Sequence, residues 1–168
     1  MLPVPMAILR TLVGIAVLGG LGGCGPSRKC PAEPFGDPAV RPQITNLDLL
    51  QQLDGDPWTL VFATTFIDAD GDIGTGHAEF YLNGRKSPIE LDMGDSFRQS
   101  GLAADVKAGS IAFPLRFSET GGDRRVVLSI QLIDSAGNQS NCFSIDLRFA
   151  VTQLTAPLIE AVHCDECS

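Results

Sequence analysis

Residues 143–149 read Phe-Ser-Ile-Asp-Leu-Arg-Phe, with an aromatic or aliphatic side chain at every second position. A period of two is typical of a β-strand that has one buried face and one solvated face. The segment therefore predicts a strand whose apolar side chains enter a core, while Ser144, Asp146 and Arg148 face water.

Similar alternation occurs along much of the chain from about residue 43. Asn83-Gly84 is a hairpin signal, and Pro114 indicates an edge strand because proline has no N–H to donate. Residues 94–110 are ambiguous and are given at most one helical turn, around Leu102 to Val106. The chain thus predicts an all-β fold, an antiparallel β-sandwich of about seven strands. The other six strand segments are Ile44–Leu50, Trp58–Phe66, Ala78–Leu82, Ile89–Leu91, Ile111–Phe117 and Val126–Leu132.

The composition and motifs of the chain argue against several classes of protein. The 168 residues include 18 Gly and 11 Pro, which argues against a helical bundle. The net charge of -8 argues against a nucleic-acid partner, since such a partner requires a basic surface. The motifs G-x-S-x-G, H-E-x-x-H, S-x-x-K and the P-loop are absent from the sequence. We therefore predict that the protein is not an enzyme.

Residues 1–23 are predicted to be a signal peptide rather than part of the fold. Arg10 is their only charged residue, and the apolar stretch Thr11–Leu21 follows it. This stretch is too short for a spanning helix, which needs roughly 20 apolar residues. It has the length of the apolar region of a signal helix.

The segment Leu21-Gly22-Gly23-Cys24 resembles the lipobox of bacterial lipoproteins. The resemblance implies cleavage after Gly23 and acylation of Cys24, with a diacylglyceryl group on the thiol and a palmitate-type chain on the amine. Gly25 in place of Asp implies sorting to the outer membrane in diderm bacteria. Cleavage removes Arg10, so the net charge falls from -8 to -9. The alternative is an ordinary secretory signal with a chance cysteine.

The rest of the chain divides into three parts. Residues 24–42 contain five prolines and no periodicity, which predicts a disordered tether of up to about 55 Å. Residues 43–152 hold the predicted sandwich. Residues 153–168 are predicted to be a cysteine-containing tail.

Two turns resemble those of Ig-like extracellular modules. Phe66–Gly74 is similar to the F-x-D-x-D-G-D-x-G turn of bacterial surface lipoproteins, and Ile133–Ser140 is similar to a D-x-A-G-N-x-S turn before the last strand. The resemblance implies an Ig-like sandwich. The sequence departs from true immunoglobulin domains, because strands two and six lack cysteine and Trp58 lies on the second strand.

An acidic loop is the candidate metal site. Asp68, Asp70 and Asp72 alternate within one turn, and calcium prefers such oxygen ligands. An Ig-like topology places Asp134 and Asn138 at the same end. The alternative is plain turn chemistry, in which Asp and Asn side chains bond to the local backbone. No other cofactor is predicted, and the neighbouring His77 is assigned no role.

Four cysteines remain once Cys24 is acylated, and an even number in an exported chain predicts two disulfides. Strand order favours Cys30–Cys142 with Cys164–Cys167, and the rival is crosswise pairing of the tail with the tether and the last strand. The run His163–Cys167 also fits a soft-metal clip or a redox C-x-x-C, although it is one ligand short of a closed zinc site.

These features predict a lipid-anchored protein of the cell envelope that faces the periplasm or the cell surface. We expect its sandwich to be a binding or adhesion module for a protein or polysaccharide ligand. The alternative is a structural subunit or scaffold of an envelope complex. A binding module recognises its ligand when purified alone, whereas a subunit co-purifies with one complex.

Overall fold

The computed structural model describes residues 34–118, 124–150 and 158–163. Within these residues the chain forms one α-helix, α1 (Met93–Ser100), and one short 3-10 turn at Ile73–Thr75. No helix in this part of the chain is long and apolar enough to cross a membrane. The same residues form eight strands: β1 Gln43–Leu53, β2 Asp56–Ile67, β3 His77–Leu82, β4 Arg85–Asp92, β5 Ala108–Arg116, β6 Arg124–Ile133, β7 Phe143–Ala150 and β8 Leu158–His163.

The strands pair into two antiparallel sheets. One sheet has the order β1-β2-β5, and the other has the order β4-β3-β6-β7-β8. Immunoglobulin sandwiches place strands A, B and E in one sheet and C, F and G in the other, and variable-type domains add C′ beside C. Strands β1 to β7 follow this arrangement, with β4 in the C′ position. The predicted all-β, Ig-like sandwich is therefore confirmed, with eight described strands rather than seven.

The eighth strand corrects the predicted end of the sandwich. The sequence predicts a tail over residues 153–168, but β8 pairs along β7, with His163 opposite Ile145 and Leu158 opposite Ala150. The free edge of β7 would otherwise present unpaired N–H and C=O groups, and another strand satisfies them. The five-stranded sheet therefore continues into the predicted tail.

An aromatic-rich core lies between the sheets. Phe113 of β5 packs against Phe62 of β2 at 6.0 Å and against Phe80 of β3 at 5.3 Å, measured between ring centroids. Burial of each such side chain contributes roughly 1.5–3 kcal/mol. The predicted inward faces are largely confirmed, and the fully buried core includes Leu60, Phe62, Phe66, Ile111, Leu128, Ile130, Ile145 and Leu147.

The polar face predicted for β7 is not solvated. Ser144 and Asp146 are buried, and Arg148 is half-buried. Ser144 lies opposite Ser129 of β6 with their hydroxyl oxygens 2.8 Å apart, and Asp146 accepts a hydrogen bond from Arg125 Nε. Cross-strand polar pairs therefore replace water as partners on this face.

Helix α1 corrects the interpretation of residues 94–110. The helix spans Met93–Ser100 and is capped by Gly101, whose φ of 71° is left-handed, so the expected turn at Leu102–Val106 lies beyond it. Phe97 stacks on Phe66 of β2 at 5.3 Å. This contact fixes the helix on the end of the sandwich, and poor helix formers such as Gly94 are tolerated within it.

Removal of the cap of α1 is predicted to destabilise the protein by about 1 kcal/mol. The Asp92 carboxylate accepts a hydrogen bond of 2.8 Å from the N–H of Asp95 at the first turn. Asp92→Ala removes this acceptor, and Asp92→Ser is the matched control because serine also caps helices. Urea denaturation measures both variants, and an equal loss in the two would contradict the capping role.

The predicted tether is partly held on the sandwich. The N–H of Gln139 donates to the carbonyl of Phe35 at 2.7 Å, and the Ile44 N–H donates to Asn141 Oδ1 at 2.7 Å. Residues 35–42 therefore follow the loop before β7, instead of extending freely as predicted for residues 24–42. The signal peptide, Cys24 and Cys30 lie outside the described residues.

The sandwich has two chemically different ends. We name the end formed by residues 68–76, 103–107 and 134–142 the acidic end. The opposite end, formed by the turns at 54–55 and 83–84 and by Arg116 and Arg124, is named the far end. Because β1 starts and β8 finishes at the acidic end, the chain enters and leaves the described sandwich there.

Candidate functional site

Three carboxylates converge in the loop that follows β2. One ligand oxygen from each of Asp68, Asp70 and Asp72 lies within 4.8 Å of the other two. Asp68 is 0% exposed, and its Oδ2 accepts a 2.8 Å hydrogen bond from the N–H of Ile73. Its Oδ1 is buried and has no hydrogen-bond partner, and the same holds for Oδ1 of Asp72. The loop thus holds two bare carboxylate oxygens out of contact with water.

The electrostatics of the cluster oppose ionisation of its buried member. The pKa of Asp68 is raised to about 6, mainly by burial and also by the neighbouring Asp70 and Asp72, against the lowering effect of the Ile73 N–H. Within the described residues, no Lys or Arg side chain forms an ion pair with the three carboxylates. No cationic side chain among the described residues therefore neutralises the cluster.

The loop packs closely against the neighbouring backbone at Gly71. Gly71 has a φ of 80°, and a Cβ at this position would lie 2.6 Å from the carbonyl oxygen of Asp105. The N–H of Asp68 also donates to the carbonyl of Lys107 at 2.8 Å. These contacts fix the backbone of the loop against residues 104–107. The carboxylates are therefore brought together by the backbone conformation as well as by their spacing in the sequence.

Two of the five predicted site residues bond to each other instead. Asp134 Oδ1 accepts from the Asn138 N–H at 2.8 Å, and Asp134 Oδ2 accepts from Asn138 Nδ2 at 2.7 Å. Asn138 Oδ1 in turn accepts from the N–H of Asp37 at 3.2 Å. The loop does lie beside the cluster, because Ser135 Oγ donates to Asp72 Oδ2. The sequence placed the two loops correctly, but turn chemistry uses the side chains of Asp134 and Asn138.

A second group of potential ligands forms on β3 and β4. Oxygen and nitrogen atoms of His77, Glu79 and Glu90 also lie within 4.8 Å of one another. Lys86 Nζ lies 2.6 Å from Glu79 Oε1 and 3.2 Å from Glu90 Oε1. Since a protein cation already neutralises these carboxylates, we interpret this group as a surface ion-pair network.

The far end contains an apolar cavity that the sequence did not predict. It has a volume of about 330 Å³ and lies between β4 and β5, which are edge strands of opposite sheets. Ile89 of β4 is 51% exposed beside it. A strand at this position would close the side of the sandwich, and none is present among the described residues. The main apolar walls are Phe80, Leu82, Ile89, Leu115, Phe117, Val126 and Leu128.

One cationic side chain of the cavity is held by aromatic rings. The guanidinium of Arg124 lies 4.7 Å from the ring centroid of Phe149 and donates to the carbonyl of Ser118 at 2.8 Å. Arg116 also lines the cavity but is paired with Asp56 at 2.9 Å. Arg124 therefore gives the apolar cavity a positively charged wall.

The comparisons with known proteins do not assign this chain to a family. A scan against protein-family models and a search of curated proteins found no match to this chain.

Proposed function

We propose that this protein is a lipid-anchored module of the cell envelope that binds a protein partner through its far-end cavity. The anchor rests on the resemblance of Leu21-Gly22-Gly23-Cys24 to a lipobox. The binding role rests on the position and lining of the cavity. No feature of the described residues supports an envelope scaffold or an enzyme as directly as this cavity supports a binding module.

The main support for this proposal is that the chain enters the sandwich at the end opposite the far-end cavity. The sandwich is entered at its acidic end, where Phe35 contacts the loop before β7. Residues 25–34 separate Cys24 from this contact and span roughly 30 Å if extended. A strand the length of β6 adds about 33 Å to the far end. An anchor at Cys24 therefore presents the far-end cavity away from the bilayer, where a partner can reach it.

The chemistry of the cavity favours insertion of an apolar side chain. Its volume of about 330 Å³ is at the lower end of the range of ligand sites. Strand addition is disfavoured, since Pro88 and Pro114 lie on the two neighbouring edges and proline cannot donate a backbone hydrogen bond. Most of the lining residues are apolar, which favours an apolar side chain over a polysaccharide. An acidic residue of the partner, next to its inserted side chain, would complement Arg124.

Export also favours oxidation of the cysteines, and we include a disulfide at Cys142 in the proposal. Cys142 is half-buried just before β7, close to the loop that contacts Phe35, and Cys30 precedes Phe35 by five residues. This arrangement supports Cys30–Cys142. The end of β8 opposite Ile145 supports the rival Cys142–Cys164 equally well. Peptide mass mapping without reduction distinguishes the two pairings.

Site-specific photocrosslinking in intact cells tests the binding role. A photoreactive amino acid is placed at Ile89 beside the cavity, and the matched control places it at Ile67 at the acidic end. These isoleucines are similarly exposed, at 51% and 49%. We expect one discrete crosslinked band from Ile89 and none from Ile67.

The same band should then disappear when the cavity is filled. Ser87→Trp places a large side chain at the cavity wall on β4, and it should abolish the crosslink from Ile89 while membrane association stays unchanged. Equal labelling from both isoleucines, or no band from either, would refute the assignment of the cavity as the binding site.

A further inference from the structure

We propose that Asp68, Asp70 and Asp72 form a calcium site at the acidic end of the sandwich. The proposal concerns the opposite end from the far-end cavity and is independent of the proposed partner. It extends the prediction from the sequence by selecting three ligands from the five candidates.

The bare oxygens of the cluster are the main argument for a cation. A buried carboxylate oxygen without a partner forfeits hydrogen bonding to water, which costs free energy unless another group compensates. Oδ1 of Asp68 and Oδ1 of Asp72 are both in this position. Asp68 is fully buried, and one of its oxygens lies within 4.8 Å of an oxygen of Asp70 and of an oxygen of Asp72. A bound cation would satisfy both oxygens at once.

The donor types and the irregular loop geometry favour calcium among common metal ions. Two oxygens bound to one calcium at 2.3–2.6 Å lie at most about 5 Å apart, and the ligand oxygens of the three carboxylates all lie within 4.8 Å of one another. The donors are all carboxylate oxygens, which disfavours zinc because zinc prefers nitrogen and sulfur. Magnesium demands near-ideal octahedral geometry, whereas calcium accepts irregular loops and completes its 6–8 ligands with water or backbone oxygens.

The site would link the two turns that resemble Ig-like surface modules. Asp72 receives a hydrogen bond from Ser135 of the neighbouring turn, and that turn holds Asp37 through Asn138. An ion bound to Asp72 would therefore stabilise the acidic end, where the chain enters the sandwich from the tether. We expect calcium to act as a structural ion in this protein.

Calcium titration of the full-length protein in detergent, after removal of metal with a chelating resin, tests the site. We expect one calcium per chain by isothermal titration calorimetry and a rise in Tm of roughly 5–10 °C at about 100 times the Kd. Asp70→Asn is the main variant because Asp70 is exposed and its replacement should not disturb folding. It should weaken binding at least about tenfold, since it removes one charged ligand.

The matched control is Asp54→Asn, which removes the same charge at the far end of the molecule. This variant should bind calcium like the wild type, which separates a site from a general effect of net charge. Absence of calcium binding by the wild type, or equal affinity of Asp70→Asn and Asp54→Asn, would overturn the proposal. An equal Tm rise with magnesium would overturn the choice of calcium.

Discussion

Replacement of Cys24 by serine is expected to transfer nearly all of the protein from the membrane fraction to the soluble fraction of the cell. Each buried methylene of an acyl chain contributes about 0.8 kcal/mol to membrane binding, so two chains anchor a protein stably and one does so only marginally. Serine offers no thiol for the diacylglyceryl group.

Cell fractionation with immunoblotting measures this redistribution, and labelling with an alkyne analogue of palmitate reports acylation directly. Cys30→Ser is the matched control, because it removes a thiol six residues away and leaves the lipobox intact. The control should remain in membranes and carry the label. A Cys24→Ser protein that still sediments with washed membranes and still incorporates the label would show that the lipobox interpretation is wrong.

The architecture was largely accessible from the sequence because alternation is a local property. Segments such as Ile111–Phe117 and Val126–Leu132 present their apolar side chains with a period of two, and their strands lie where expected. The sequence does not predict strand β8, because Leu158–His163 is short and only weakly alternating. Its place in the sheet depends on the open edge of β7, which is a property of the assembled fold.

Helix α1, by contrast, could not be predicted from its own sequence. Its sequence contains glycine and two serines, so intrinsic propensity predicts no helix there. The helix is stabilised by the Asp92 cap and by stacking of Phe97 on Phe66, a residue that is distant in sequence. Tertiary contacts therefore override the local preference, and no window of the sequence contains both partners.

The acidic end was predicted in part for a similar reason. Spacing brings Asp68, Asp70 and Asp72 together, and strand order brings the Asp134 turn beside them. Spacing does not reveal that Asn138 occupies both oxygens of Asp134. The far-end cavity was not predicted at all, since it arises where two edge strands of different sheets leave a gap.

The largest expected effect on stability is that Asp68→Asn stabilises the protein at neutral pH when calcium is chelated. Burial raises the pKa of Asp68 to about 6 in the folded protein, above the ordinary value of 3.8. Folding therefore favours the protonated carboxyl. This contribution is fully present in acid below about pH 4 and is lost as the pH rises through about 6. At pH 7 the ionised side chain costs about 2–3 kcal/mol.

Asparagine matches the shape of the neutral acid and keeps an oxygen for the Ile73 N–H, so it avoids this cost. Urea denaturation in EDTA should show Asp68→Asn to be more stable than the wild type at pH 7 and equal to it near pH 4. Asp54→Asn, on an exposed turn, should change little at either pH. A loss of stability in Asp68→Asn of the same size at both pH values would contradict the raised pKa.

Addition of calcium should reverse the order of the two proteins at pH 7. The ionised Asp68 is unfavourable only while its negative charge lacks a cation, and a bound ion converts the same charge into a ligand. The wild type should then gain stability with calcium concentration, whereas Asp68→Asn should need at least about tenfold more calcium for the same gain. If both proteins instead respond equally to calcium, the ion binds elsewhere and the raised pKa reflects only burial and the neighbouring carboxylates.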